Sequence, residues 1–365
     1  DGKTCAPSLG PSCDVVLLEE NLITTAALAK EYSFTRNQES YDWMKNDIFF
    51  RLSKLKNTTA PVLGFKHSDE IHEKYPLRVF AIDQSMFMEY IGEAYDATKI
   101  DAMLFNMEEA FNASVMFIAP VNNTLKNKAP YGAYWTALDF GKKVTFSTQH
   151  HEDDIALNEI YNPFPNTYDS PQTKNSLWAA AGYANYASAL RYKYSSDNSF
   201  DIADDLESSI KQAKEYHNNS LKDAYYNISS TGMQPYEKYY FAIEFAKQAF
   251  SYAELYTWNK TLKLYAEDQS LSNTDIYYTE TQIAGLLACA RLYDATQEQS
   301  YMNKADVIVD SLTNWFWDSG QGGLYHSLVP SNSSQTSQTL KWGYDNAFYA
   351  YALVQLAKNE GFDEI

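Results

Sequence analysis

Three helix ends in this chain are written alike, and this repeat constrains the fold more than any other feature. Tyr90-Ile91-Gly92-Glu93-Ala94-Tyr95-Asp96-Ala97-Thr98 closes one apolar-periodic segment. Leu287-Ala288-Cys289-Ala290-Arg291-Leu292-Tyr293-Asp294-Ala295-Thr296 closes another, and Ala29-Lys30-Glu31-Tyr32-Ser33-Phe34-Thr35 is a looser copy. A second periodic segment follows each, with an early aromatic at Tyr41, Phe105 or Tyr301. Eleven residues before each closing Tyr stands an amide, Asn21, Gln84 or Gln282, preceded by Glu20, Asp83 or Thr281. The last segment opens similarly, on Asp345-Asn346.

Apolar residues recur at three- and four-residue spacing through most of the chain, which predicts helices near 15–32, 38–55, 82–97, 100–118, 175–195, 200–218, 236–257, 278–296, 299–317 and 343–359. Shorter helices are expected near 131–140, 152–161 and 260–268, and a strand over Lys143–Ser147. A helix hairpin cannot bury its apolar face alone, so repeated hairpins stack into an open solenoid or close into a ring. A ring of six hairpins takes about twelve helices, and 365 residues accommodate them. Small residues crowd the first helices (Ala179-Ala180-Ala181-Gly182, Ala288-Cys289-Ala290), as an inner layer requires, while charge collects on second helices such as Asp201–Lys214. The expectation is an all-α (α/α)6 toroid of helix hairpins, one domain over 15–365, after an N-terminal segment over 1–14.

Composition excludes several functions. Hydrophobic residues make up 45%, enough for a real core. The net charge of −18, from 29 basic and 47 acidic residues, offers nucleic acid no basic footprint. Apolar runs such as 114–121 are far shorter than the roughly 20 residues of a membrane span. The chain opens on Asp1 rather than Met, which reads as a processed N-terminus. Cys5 and Cys13, close together among Pro, Gly and Ser, suit a small disulfide loop, whereas Cys289 lies in an apolar helix and reads as a buried structural thiol. Asn-x-Ser/Thr sequons stand at Asn57, Asn112, Asn122, Asn218, Asn227, Asn259 and Asn332, mostly at expected loops and helix ends. Together these features point to an exported glycoprotein, extracellular or at the cell surface.

In a ring of hairpins the inner-helix N-termini converge on one mouth. Capping explains an acid at a helix start, but the ring arrangement would also turn some of these acids and amides toward a ligand. Asp83-Gln84 and Asp345-Asn346, the latter with Trp342 and Tyr344 beside it, are the candidate ligand-binding pairs. The densest polar cluster is His150-His151-Glu152-Asp153-Asp154. It reads as a solvated capping turn, a catalytic carboxylate pair, or, less favourably, a metal site, since successive residues cannot all aim at one ion. No cofactor motif occurs: there is no P-loop, Rossmann fingerprint, nucleophile elbow or CxxC. Aromatics make up 15% of the chain, and a polar funnel with aromatic platforms such as Trp135, Trp178 and Tyr344 suits the apolar faces and hydroxyls of a sugar.

The C-terminal third carries a resemblance. Trp315-Phe316-Trp317-Asp318-Ser319-Gly320-Gln321-Gly322-Gly323-Leu324-Tyr325, followed by Lys341-Trp342-Gly343-Tyr344-Asp345-Asn346-Ala347, resembles the six-hairpin glycosidase-like superfamily. That group includes N-acylglucosamine 2-epimerase-like proteins, family-76 α-1,6-mannanases and YyaL-like proteins. In the family-76 mannanases a consecutive Asp-Asp pair carries catalysis, and by resemblance Asp153-Asp154 takes that role here. The epimerases rely on His residues of inner helices. Here His326 falls in a loop and His217 at an outer-helix end, which departs from their pattern. The YyaL-like proteins carry a thioredoxin-like domain that has no counterpart here.

The leading expectation is an exported glycoside hydrolase-like protein acting on a polysaccharide, with Asp153 and Asp154 as carboxylates. Asp83, Gln84, Asp345 and Asn346 would meet sugar hydroxyls, and Trp135, Trp178, Trp342 and Tyr344 its faces, with no metal and no cofactor. The alternative is a non-catalytic, N-glycosylated surface protein that uses the toroid to bind carbohydrate or to self-assemble.

Overall fold

Among the described residues helix forms in most of the long segments where the three-and-four-residue rhythm predicts it, but the rhythm does not show where each helix is interrupted; the helix expected near 200–218 lies outside the described residues. The computed structural model describes residues 18–57, 64–66, 78–115, 117, 137–139, 160–161, 173–194, 221, 225–226, 229, 232–267, 276–329 and 340–359. These fall into two compact units.

In the first unit, α1 (Leu18–Thr35) is followed by α2 (Gln38–Asp42), a π-helical stretch over Trp43–Ile48 and α3 (Phe49–Lys54). One continuous helix was expected over 38–55. A two-strand hairpin follows, β1 (Lys56–Asn57) on β2 (Gly64–Phe65). β3 (Arg78–Phe80) leads into α4 (Ala81–Thr98), which packs between α1 and α5 (Asp101–Val115). Small residues let α4 sink: Ala81, Ser85, Gly92 and Ala94 are all among its buried positions. Gly92 makes room for Asn185, because a Cβ there would stand 2.3 Å from the Asn185 amide nitrogen. That amide donates to the Glu89 carbonyl of α4 at 2.8 Å.

The expected helices near 131–140 and 152–161 are corrected where the structure describes them. Residues 137–139 form β4 (Ala137–Asp139) and 160–161 form β5 (Ile160–Tyr161), in a sheet ordered β3-β4-β5. Arg78 pairs with Asp139, a partner distant in sequence that local periodicity does not reveal. The strand expected over 143–147 lies outside the described residues.

The second unit begins with α6 (Thr173–Tyr194), whose residues from Asn185 on count with the first unit. Next come α7 (Pro235–Tyr252), a second π-helical stretch over Ala253–Thr257, and the hairpin of β6 (Trp258–Asn259) on β7 (Leu264–Tyr265). A helix was expected over 260–268. Instead the Asn259 side chain accepts from the amides of Thr261 and Leu262, both at 3.0 Å, and closes the turn. β8 (Tyr277–Tyr278) runs into α8 (Thr279–Thr296), which packs on α9 (Gln299–Trp315) and α10 (Gly343–Asn359), and β9 (Ser327–Leu328) pairs with β8. α9 shows only one face to the core, with Met302, Ala305, Ile308 and Leu312 buried.

The sequence repeat has a physical meaning at both helix ends. At the stop, Arg36, Lys99 and Gln297 adopt φ of 56°, 57° and 60°. Their amides donate to the carbonyls of the closing Tyr32, Tyr95 and Tyr293 at 2.9, 2.7 and 2.7 Å. Each preceding Thr (Thr35, Thr98, Thr296) bonds back to the carbonyl four residues earlier. At the starts of α4 and α8, the repeated amide clamps a hairpin. Gln84 accepts from the Phe65 amide at 2.9 Å and donates to its carbonyl at 2.7 Å. Gln282 does the same to Tyr265, at 2.7 and 2.8 Å. One side chain thereby satisfies both backbone groups of a buried strand residue.

Candidate functional site

The first turn of α10 holds the most unusual carboxyl group among the described residues. Asp345 is 1% exposed, and its Oδ1 has no hydrogen-bond partner among the described residues. Its Oδ2 lies 2.7 Å from Nδ1 of His326. Burial pushes the Asp345 carboxyl above its ordinary range. His326 and Lys174 pull against that shift, and Glu280 adds to it. When Asp345 is ionised, Nδ1–H donates to it, which leaves Nε2 of His326 for a ligand.

His326 lies in a loop, as the sequence says, but the loop is tightly held. Its amide donates to the Leu340 carbonyl at 3.0 Å, and its carbonyl accepts from the Thr279 amide at 2.9 Å. The Thr279 hydroxyl also donates to the Tyr325 carbonyl. The register of β8 on β9, Tyr278 opposite Ser327, sets the imidazole beside the start of α8. His326 thus lies in a loop, as the sequence reading has it, and that loop sets its imidazole against Asp345. The Trp342 ring stacks on it, with centroids 3.8 Å apart and planes 12° from parallel. Trp342 itself remains 50% exposed, so a large part of the ring still meets solvent.

The C-terminal motif is the brace that delivers these groups. Asp318 accepts from the Gly320 and Gln321 amides at 2.8 and 3.2 Å. It also accepts from Lys341 Nζ at 2.6 Å, and Lys341 holds the Gly322 carbonyl as well. The Lys341 ammonium, foremost, holds the Asp318 carboxyl down to about 2. Asn346 is the third amide clamp, accepting from the Leu324 amide at 2.7 Å and donating to its carbonyl at 3.3 Å. Gly323, at φ +85°, lies where a Cβ would come within 3.0 Å of Asn346 Oδ1. Each of these motif residues thus fixes the segment before His326 or the segment bearing Trp342.

A second charged pair flanks the dyad. Lys174, in the first turn of α6, lies 3.0 Å from Glu280, in the first turn of α8. Both are partly open, at 27% and 21%. The Thr173 amide donates to the Glu267 carbonyl at 2.8 Å, and the Thr281 hydroxyl donates to the Glu267 carboxylate. Glu280 stands two residues before the repeated amide Gln282, and that position is the sequence signal that places it at the start of α8.

The sequence-derived residues divide clearly. Trp342, Tyr344, Asp345 and Asn346 gather at the start of α10, but the Asn346 amide is spent on backbone. Trp178 is wholly buried, its ring stacked on Phe348 at 5.0 Å and 6°, so it has no open face for a sugar. Asp83 and Gln84 start α4 in the first unit, 3% and 0% exposed, and Gln84 is a scaffold clamp. Asp153, Asp154, Trp135, Cys5 and Cys13 lie outside the described residues, as do sequon positions Asn122, Asn218, Asn227 and Asn332. Asn57 lies in β1, Asn112 is exposed on α5, and Asn259 closes the β6–β7 turn. Cys289 is buried, and its thiol is pushed well up by burial. Among the described residues no group of His, Cys, Asp and Glu could hold a metal, and no helix is long and apolar enough to cross a membrane.

No family model matches the sequence, and no curated protein matches it. Solved structures do match. A D-mannose isomerase aligns at TM-score 0.59 and 12% identity, over 94% of this chain and 72% of that one. A family 76 glycoside hydrolase (mannosidase) from Bacteroides thetaiotaomicron aligns at 0.56 and 12%, over 98% and 75%. An unsaturated glucuronyl hydrolase specific for heparin aligns at 0.57 and 12%, over 94% and 76%. At such identities the likeness is one of fold. This chain carries the same fold, an (α/α)6 toroid of helix hairpins.

Proposed function

We propose that the protein is an exported, glycoside hydrolase-like enzyme that acts on a polysaccharide at the start of α8 and α10. The observation that carries this reading is the Asp345 carboxyl, buried with no partner for Oδ1 among the described residues and tied at 2.7 Å to His326, on which the half-open ring of Trp342 stacks. A carboxyl pushed upward in pKa retains a proton to give to a leaving oxygen, and a hydrogen-bonded imidazole holds it in place. The open part of Trp342 offers an apolar platform to a sugar ring. Hydrolysis needs a second carboxylate, which we assign to Asp153-Asp154. Several of the matched structures are family 76 glycoside hydrolases, which supports that assignment. The sequons and the Cys5–Cys13 pair support export.

The test is reducing-sugar release from α-mannans, β-glucans and uronic-acid polymers by wild type, Asp345→Asn, Asp153→Asn and Asp154→Asn. The wild type is expected to release sugar from at least one neutral polymer. Asp345→Asn should lose about 100-fold or more, the scale of a general acid–base group. Full activity in Asp345→Asn would overturn the assignment of Asp345. Glycan binding without turnover by the wild type would favour the non-catalytic surface module.

A further inference from the structure

Three chain segments run side by side at the site. The Tyr325 amide donates to the Phe316 carbonyl and the Asp318 amide to the Gly323 carbonyl, both at 2.9 Å, so Trp317 stands opposite Leu324. On the other side, the His326 amide donates to the Leu340 carbonyl at 3.0 Å and brings up the segment with Lys341 and Trp342. Neighbouring extended segments lie about 4.8 Å apart, so Trp317 and Trp342 flank the His326 segment roughly 10 Å from each other. Side chains of such segments alternate between two faces. One face is marked by contact: Lys341 lies 2.6 Å from Asp318 and 5.3 Å from the centre of the Tyr325 ring, and the Tyr325 hydroxyl bonds to Asp318. Trp317, Leu324, His326 and Trp342 stand next to these three in sequence, and alternation turns them to the opposite face. There Trp342 stacks on His326. Trp317 shares that face and is 46% exposed.

A lone exposed aromatic is ordinary on a protein surface. Two half-open Trp rings on one face, either side of a histidine tied to a buried carboxyl, are a more specific arrangement. From it we infer that Trp317 is a second sugar platform: the site takes a glycan chain across its face, with one sugar on Trp342 beside His326 and Asp345 and another sugar of the same chain on Trp317. This deepens the carbohydrate reading above and rests on it. The Asp318–Lys341 pair and the Asn346 clamp on Leu324 brace all three segments, so the two rings are held at a fixed spacing. A chain already seated on one platform meets the other without a second loss of overall freedom, so an oligosaccharide should bind more tightly than its monosaccharide.

The experiment is ligand-observed NMR titration of the full chain with three pairs: mannose and mannotetraose, glucose and cellotetraose, galacturonate and tetragalacturonate. Wild type, Trp317→Leu and Trp317→Phe are compared, with folding checked by circular dichroism. Trp317→Leu keeps an apolar side chain opposite Leu324 but removes the flat face, whereas Trp317→Phe keeps a smaller face. The wild type should bind at least one tetrasaccharide about tenfold or more tighter than its monosaccharide. Trp317→Leu should lose that preference without weakening the monosaccharide, and Trp317→Phe should retain most of it. If the wild type binds both members of each pair alike, or if Trp317→Leu keeps the preference, the outer platform is wrong and the carbohydrate reading stands. If Trp317→Leu weakens monosaccharide and tetrasaccharide together, or Trp317→Phe loses as much as Trp317→Leu, Trp317 serves the scaffold and the platform is again wrong. If the wild type binds none of the six, the carbohydrate reading fails and the platform falls with it.

Discussion

Replacing Gln282 with Ala tests the repeated amide directly. The Gln282 side chain is 1% exposed and satisfies the Tyr265 amide at 2.7 Å and its carbonyl at 2.8 Å, with a third contact to the Tyr278 carbonyl at 3.2 Å. Tyr265 is fully buried, so truncation leaves two backbone groups without partners. Each orphaned group costs about 1–3 kcal/mol, so two cost about 2–6 kcal/mol. Ala returns only about a few tenths of a kcal/mol in helix propensity. The expected net loss is about 3–4 kcal/mol, read as a lowered midpoint in urea by far-UV circular dichroism. Gln84→Ala should lose a similar amount through Phe65, with no specific loss of sugar affinity. Gln282→Glu adds a signed check. The introduced carboxylate, once ionised, would face the Tyr265 and Tyr278 carbonyls, so its folded-state pKa is raised. Stability should be near wild type below the unfolded glutamate value of about 4.3 and fall as pH rises through the folded value. A loss under about 1 kcal/mol in both Ala variants would refute the clamp as the reason for the repeat.

Asp345→Asn should be more stable than wild type at neutral pH even as it loses activity. Burial raises the Asp345 carboxyl, so its stabilising contribution is present below the ordinary value of 3.8 and is lost as pH rises through the folded value. Thermal melts at acidic and at neutral pH should show the gain only at neutral pH. Gly323→Ala puts a side chain at φ +85° and a Cβ within 3.0 Å of Asn346 Oδ1. It should cost about 1–2 kcal/mol by thermal melt and reduce sugar binding through the displaced Trp342 segment. Cys289 is buried and its thiol is pushed up, so the native chain should show no thiol from this residue to an aromatic disulfide reagent. Unfolding without reductant should expose one thiol if Cys5 and Cys13 are bonded, and reduction first should expose all three cysteines of the chain; three in both cases would overturn the disulfide.

The hairpins, their stops and their starts are legible in the sequence because those signals are local. A three-and-four-residue rhythm reports helix through contacts within one turn. The Tyr-x-x-Thr stop recurs because the same backbone problem recurs at the end of each of these helices, and the amides Gln84 and Gln282, eleven residues upstream of their Tyr, meet the same problem at two helix starts. What the amide does was not legible, since its partners Phe65 and Tyr265 lie 19 and 17 residues away across a hairpin. The short strands escaped for the same reason: a two-residue ladder has no period of its own. The site depended on tertiary structure still more. Trp342, Tyr344 and Asp345 announced themselves as neighbours in sequence, but His326 looked like an ordinary loop residue until the β8–β9 register set it against Asp345. Lys174 and Glu280 meet across 106 residues, and no local pattern encodes that separation. Residue type suggests ligand roles for Trp178 and Gln84, but burial decides whether an aromatic face or an amide is open to one. Only the packed structure shows that Trp178 is covered by Phe348 and that the Trp342 ring is left open.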